Sequence, residues 1–141
     1  MVVGDPVRKL PLPGWLDSGP AHWQSRWEAL HGDRRVQQAD WLWPRRGDWM
    51  ARLDDVLLET ETPAVLIAHS LGCQLVASWA APHSSLPQRS STEFLRRDLR
   101  PRADYFANLF NWRPIARPRL PFRSLVVDGS DDPYCHPERA V

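Results

Sequence analysis

Of the 18 basic residues in this 141-residue chain, one alone is lysine, Lys9. With many Pro, Ala and Trp, that arginine bias is the one expected of a GC-rich, bacterial coding sequence. Cysteine is equally scarce. Cys73 and Cys135 are the two present, and their separation matches no metal-ligand pair and no disulfide framework. No apolar run approaches the roughly 18 residues of a membrane-spanning helix, and the amino terminus has no secretory pattern, so a cytoplasmic protein is expected. Charge of one sign is not in excess either. The net value of +1 excludes the polyelectrolyte balance of a dedicated nucleic-acid or membrane-surface binder. What remains is 43% hydrophobic content, enough for one core in one domain over residues 1–141, though small for a complete doubly wound sheet.

The most informative stretch is Ala68-His69-Ser70-Leu71-Gly72. It follows the apolar run Ala64 to Ile67 and opens an amphipathic stretch from Cys73 to Ala81, the sequence form of a strand, a sharp turn and a helix. A serine hydroxyl is a poor nucleophile at neutral pH and becomes useful when a strained turn presents it beside a base and backbone N–H donors. Ser70 is therefore the candidate nucleophile. Ala68 and Gly72 supply the small residues the turn needs, and Gly72 is expected to let the helix pack closely on the strand it leaves. The competing reading makes Ser70 a plain N-cap. His69, next in sequence, should point away from Ser70 and serve in packing or hydrogen bonding.

Elsewhere the pattern alternates. A short strand is expected to end at Leu12, before the Pro13-Gly14-Trp15 turn. Ser18-Gly19-Pro20 reads as a helix start with Pro at the first helical position, Trp23, Trp27 and Leu30 as its core face and Gly32 as its stop. Arg35 to Ala39 is a candidate second strand. Asp48 is expected to cap a helix that buries Trp49, Leu53, Val56 and Leu57. Ala64–Ala68 and Leu125 to Val127 read as buried parallel strands. The expected fold class is α/β, a doubly wound, mostly parallel sheet that is incomplete toward the carboxyl end.

Residues 82–123 differ in composition. Nine Arg and six Pro against three acidic residues give this segment +6, leaving about −5 for the rest of the chain. Arg96, Arg97, Arg100 and Arg102, with Tyr105, Phe106 and Trp112 as stacking partners, have the makings of a single-strand nucleic-acid site. A solvated, partly disordered insert is the preferred expectation. Beyond it, Leu125-Val126-Val127 delivers Asp128, Asp131 and Asp132 into a turn, where open α/β sheets hold their ligand sites. Asp132 is preferred over Asp131 as a carboxylate that orients a catalytic histidine, against the reading of a plain polar turn. A calcium loop through Asp128, Ser130 and Asp132 fails, because Pro133 takes the required glycine position and Arg139 that of the bidentate glutamate.

Taken in order, Pro13-Gly14-Trp15, His22-Trp23, Asp48-Trp49, Ala68-His69-Ser70-Leu71-Gly72 and Leu120-Pro121-Phe122 through Asp131-Asp132-Pro133-Tyr134 resemble the small serine α/β-hydrolases of the YdeN and retinoblastoma-binding-protein type, over about residues 8 to 81 and 118 to 140. The resemblance implies Ser70 as nucleophile and Asp132 as the acidic triad member. It implies an oxyanion hole from the backbone N–H of Leu71 and of Trp15, and a structural or substrate-facing His22. The implied substrate is a small acyl compound, an ester or amide, with no cofactor and no metal. Family members also have another apolar strand soon after the nucleophile helix and a later Gly-His turn that supplies the base. Neither is in this sequence. His136 is the one histidine after Asp132 and lies too near it to swing over Ser70. The expectation is an impaired hydrolase, through a reading-frame change between about Ala81 and Leu120, or a non-catalytic, hydrolase-like relic or binding module.

Overall fold

In a computed structural model the described residues are 7–83 and 109–127. Two strands, β1 (Arg8–Leu12) and β2 (Ala64–Ala68), pair in parallel with Arg8 opposite Ala64 and Leu12 opposite Ala68. Helices α1 (Trp23–His31) and α2 (Arg46–Leu58) lie between them in the chain, and α3 (Leu71–Ala80) follows β2, ending in a 3₁₀ turn over Ala81–His83. Parallel strands joined through helices are the α/β arrangement expected. The Arg8 guanidinium secures the lower end of the pair. It donates to the carbonyls of Val56 at 2.8 Å and Leu57 at 3.0 Å, which end α2, and to that of Thr62 at 3.1 Å.

Several elements differ from expectation, each for a local reason. α1 begins at Trp23 because Gly19-Pro20-Ala21-His22 closes a turn, His22 N–H to Gly19 carbonyl at 2.9 Å, in which Pro20 presets the second position. His22 is the N-cap, and Gly32, with φ +69°, ends the helix as expected. Its buried face is polar: Gln24 is fully buried, whereas Trp23, Trp27 and Leu30 are exposed. Residues 35–39 form no strand. One bond, Val36 N–H to Pro11 carbonyl at 3.0 Å, lays this segment beside β1 and buries Val36. α2 starts at Arg46, so Asp48 lies in its first turn, where a carboxylate favours the positive helix end. The side chain of Asn111 caps it instead, accepting the Arg46 N–H. Leu125 to Val127 are neither strand nor buried; exposure runs from 66% to 88%. β2 itself is half-buried, with Val65 exposed, since β1 is its sole strand partner among the described residues.

The core joins Leu10 and Leu12 of β1, Val36, Trp49, Leu53 and Val56 of α2, Leu75 and Val76 of α3, and Trp112. Trp112 overturns part of the reading of residues 82–123. Its ring meets Trp49 edge to face at 5.5 Å and its Nε1–H donates to the Pro44 carbonyl at 2.9 Å. A ring so engaged cannot stack a base. Arg96, Arg97, Arg100, Arg102, Tyr105 and Phe106 lie outside the described residues. Among the described residues no helix is long and apolar enough to cross a membrane.

Candidate active site

The apolar, partly β-branched run of β2 ends at Ala68, and the chain reverses into α3 within two residues. The reversal falls on Ser70, whose backbone has φ +52° and ψ −118°. That is a left-handed conformation for a residue with a Cβ, stored at about 1–3 kcal/mol and held by its surroundings. Gly72 N–H donates to the His69 carbonyl and Cys73 N–H to the Ser70 carbonyl, both at 2.9 Å, closing the turn. The Ser70 side chain makes no capping bond to α3. The plain N-cap reading required that bond.

Close approach explains the glycines. A Cβ on residue 72 would lie 2.2 Å from the Leu12 carbonyl oxygen, so α3 starts against the end of β1, the neighbouring strand. The expectation that Gly72 eases packing on the strand just left is corrected accordingly. A Cβ on residue 14 would lie 2.9 Å from the Ser70 Cβ and 3.3 Å from the Leu71 nitrogen. The turn after β1 and the elbow after β2 are therefore in contact. Leu71, first residue of α3, has an N–H with no acceptor within the helix. The turn holding Trp15 is itself constrained: Asp17 N–H donates to the Gly14 carbonyl at 3.2 Å, Leu16 and Asp17 have φ of +67° and +65°, and Trp15 Nε1–H reaches the Leu42 carbonyl at 3.0 Å.

His22 comes to this end of the sheet from α1. Its ring meets His69 at 4.6 Å between centroids, and Trp23 lies 6.0 Å from His69. His22 Nδ1 accepts the N–H of Gln24 at 3.2 Å. A backbone N–H can only donate, so neutral His22 carries its proton on Nε2. Burial, and then the charge of Arg35, push its pKa below the ordinary value, which keeps the ring neutral. A triad base needs the opposite tautomer, Nδ1–H toward a carboxylate and a bare Nε2. Asp132 and His136 lie outside the described residues.

Two residues here were not singled out from the sequence. Arg35 donates to Asp17 and Glu28, each at 2.7 Å, to the Ser18 carbonyl and to Ser25 Oγ, tying the turn after β1 to α1. Those paired acids hold its pKa above the usual guanidinium value although burial opposes them. Gln24 donates to the carbonyls of Leu12 and Ile67 and accepts from Ser18. A polar residue between two tryptophans gives no sequence signal of burial, because what satisfies it is backbone from distant strands.

Comparison with known proteins agrees with this architecture. A protein from Pectobacterium atrosepticum named as a YdeN-like hydrolase has a solved structure that superposes with a TM-score of 0.52 at 26% identity, over 56% of this chain and 43% of its own. The chain thus spans less than half the length of that relative. No curated protein matches the sequence. The family model described as serine hydrolase matches residues 10–141, nearly the whole chain, and the chain belongs to that family.

Proposed function

We propose that this chain carries the nucleophile half of an acyl-transfer site, with Ser70 forming an acyl-enzyme from a small ester or amide. The observation that carries the reading is the Ser70 backbone at φ +52°, on a strand-to-helix turn whose hydroxyl caps nothing. In the reaction Ser70 Oγ adds to the acyl carbonyl as its proton passes to a base. The tetrahedral oxyanion accepts hydrogen bonds from the Leu71 and Trp15 N–H groups, and the alcohol or amine departs with a proton. Water then cleaves the acyl-enzyme. Asp132 is the carboxylate assigned to orient the base, and His22, as an Nε2–H donor, faces the substrate.

Among the described residues, the first proton transfer has no histidine placed as its base. His22 has the wrong tautomer, and His31 sits in the last turn of α1 with its ring against Trp27. A site without its base keeps about 10³ to 10⁴-fold over water from its oxyanion hole and binding, so acylation by the described residues alone is proposed to be slow. The same His22 observation favours a second reading, a binding module that keeps the hydrolase frame without turnover. A fluorophosphonate probe followed by intact-mass analysis tests the first. The expected result is slow, stoichiometric labelling of Ser70, absent in Ser70→Ala. Folded protein that gains no adduct overturns it, and ligand binding unchanged by Ser70→Ala with no turnover favours the module.

A further inference from the structure

We infer that Gln24 is a positioning residue for this site, setting the distance between the Ser70 elbow and the turn that holds Trp15. The inference rests on the proposed roles of Ser70, Leu71 and Trp15. Gln24 is fully buried, and its three side-chain bonds among the described residues bear on the two site-forming segments. Its Nε2 donates to the Ile67 carbonyl at 2.8 Å, just before the elbow, and to the Leu12 carbonyl at 3.2 Å, just before the turn. Its Oε1 accepts the Ser18 hydroxyl at 2.8 Å, just after the turn. The amide orientation is unambiguous, because two carbonyls can be met only by the donor end.

The Leu12 carbonyl is where these parts converge. It accepts the His69 N–H at 3.1 Å in addition to Gln24, and Gly72 has no side chain because that oxygen occupies the space. Gln24 thus grips the turn segment at both ends, at Leu12 and Ser18, and grips the elbow strand at Ile67. The residue is itself held twice. His22 Nδ1 takes its backbone N–H, and Ser18, its acceptor-side partner, has its own carbonyl bound by Arg35 and by Ser25 Oγ. Oxyanion donors work only when placed about 2.7–3.1 Å from the developing charge. A displacement of about 1 Å costs on the order of 10²-fold in rate. A hydrocarbon of the same size would fill the space and leave that spacing unset.

The test compares wild type, Gln24→Met and Ser18→Ala. Fluorophosphonate labelling of Ser70 is resolved into probe affinity and the labelling rate at saturation, and amide hydrogen exchange at His69 is followed in parallel. The expected result for Gln24→Met is a rate at saturation lower by about 10²-fold, with probe affinity unchanged, native circular dichroism and faster His69 exchange. Ser18→Ala shifts both readouts the same way by less. Labelling within twofold of wild type, a loss confined to affinity, or unchanged His69 exchange overturns the inference. Should Gln24→Met not fold, Ser18→Ala decides it on the same readouts. If wild-type Ser70 is never labelled, the nucleophile reading falls, and His69 exchange in the two variants still decides whether Gln24 sets the spacing.

Discussion

Gly14 and Ser70 stand back to back: a Cβ on residue 14 would come within 2.9 Å of the Ser70 Cβ and 3.2 Å of the His69 carbonyl oxygen. No side chain fits between them, so the turn after β1 rests its backbone directly on the elbow after β2. The proposed oxyanion donors, Leu71 and Trp15, are the residues immediately following each of these two. The proposed site rests on this contact between the segments rather than on any reach of side chains.

The strain at Ser70 predicts that glycine there raises stability. Ser70→Gly removes the Cβ penalty at φ +52° and loses no capping bond. Ser70→Ala keeps the penalty. Glycine is therefore expected to be the more stable of the two variants, because a strain of about 1–3 kcal/mol outweighs the roughly 0.4–1 kcal/mol that glycine adds in unfolded-chain entropy. Urea midpoints of the two variants check it, and equal midpoints would mean that the strain at residue 70 is no larger than the entropy glycine adds.

His22 predicts a pH dependence of stability. Its folded pKa lies below the reference value of 6.5, through burial first and Arg35 second. The unfolded chain therefore binds the proton more readily. Stability from the neutral ring is complete above about pH 6.5 and is lost as pH falls from there through the lowered folded value. Protonation also removes the Nδ1 acceptor that caps α1. His22→Asn keeps an N-cap acceptor without a titrating group. It should flatten the fall in urea midpoint between pH 7.5 and 5.5, and a variant as steep as wild type would count against this assignment.

Trp112 predicts that residues 109–127 are required for the core. It is 4% exposed, packed on Trp49 and bonded to the Pro44 carbonyl. Trp112→Ala is expected to cost about 3–5 kcal/mol, read as a lower denaturation midpoint. A change under about 1 kcal/mol would show that residues 109–127 pack only loosely on α2.

Where side chains read each other along one element, the sequence was legible. Trp49, Leu53 and Val56 follow helical spacing and are buried together, and Ala64–Ala68 with Gly72 announces the strand, turn and helix around Ser70. Legibility ended where distant backbone supplies the partner. Trp23 and Trp27 share a helical stripe that reads as core, yet the buried face of α1 is Gln24, satisfied by carbonyls of β1 and β2. Pro20 fits a helix start and a turn equally well, and the Gly19 carbonyl decides between them. Leu125 to Val127 have strand composition, but composition brings no neighbouring strand. Asp132, chosen from the sequence, lies beyond the described residues.

Parallel pairing has a kinetic consequence. Arg8 finds Ala64, and Leu12 finds Ala68, only after the chain holding α1 and α2 has closed into a long loop, whose entropy is lost before any strand bond forms. Local zipping, the fast route open to a hairpin, is denied to this pair. The left-handed backbone at Ser70 is unfavourable on its own and is held by contacts with Leu12 and Gly14 from the far side of that loop. The elbow should thus acquire its shape late, after the folding barrier, so that changes at Gly14 or Gly72 speed unfolding far more than they slow folding.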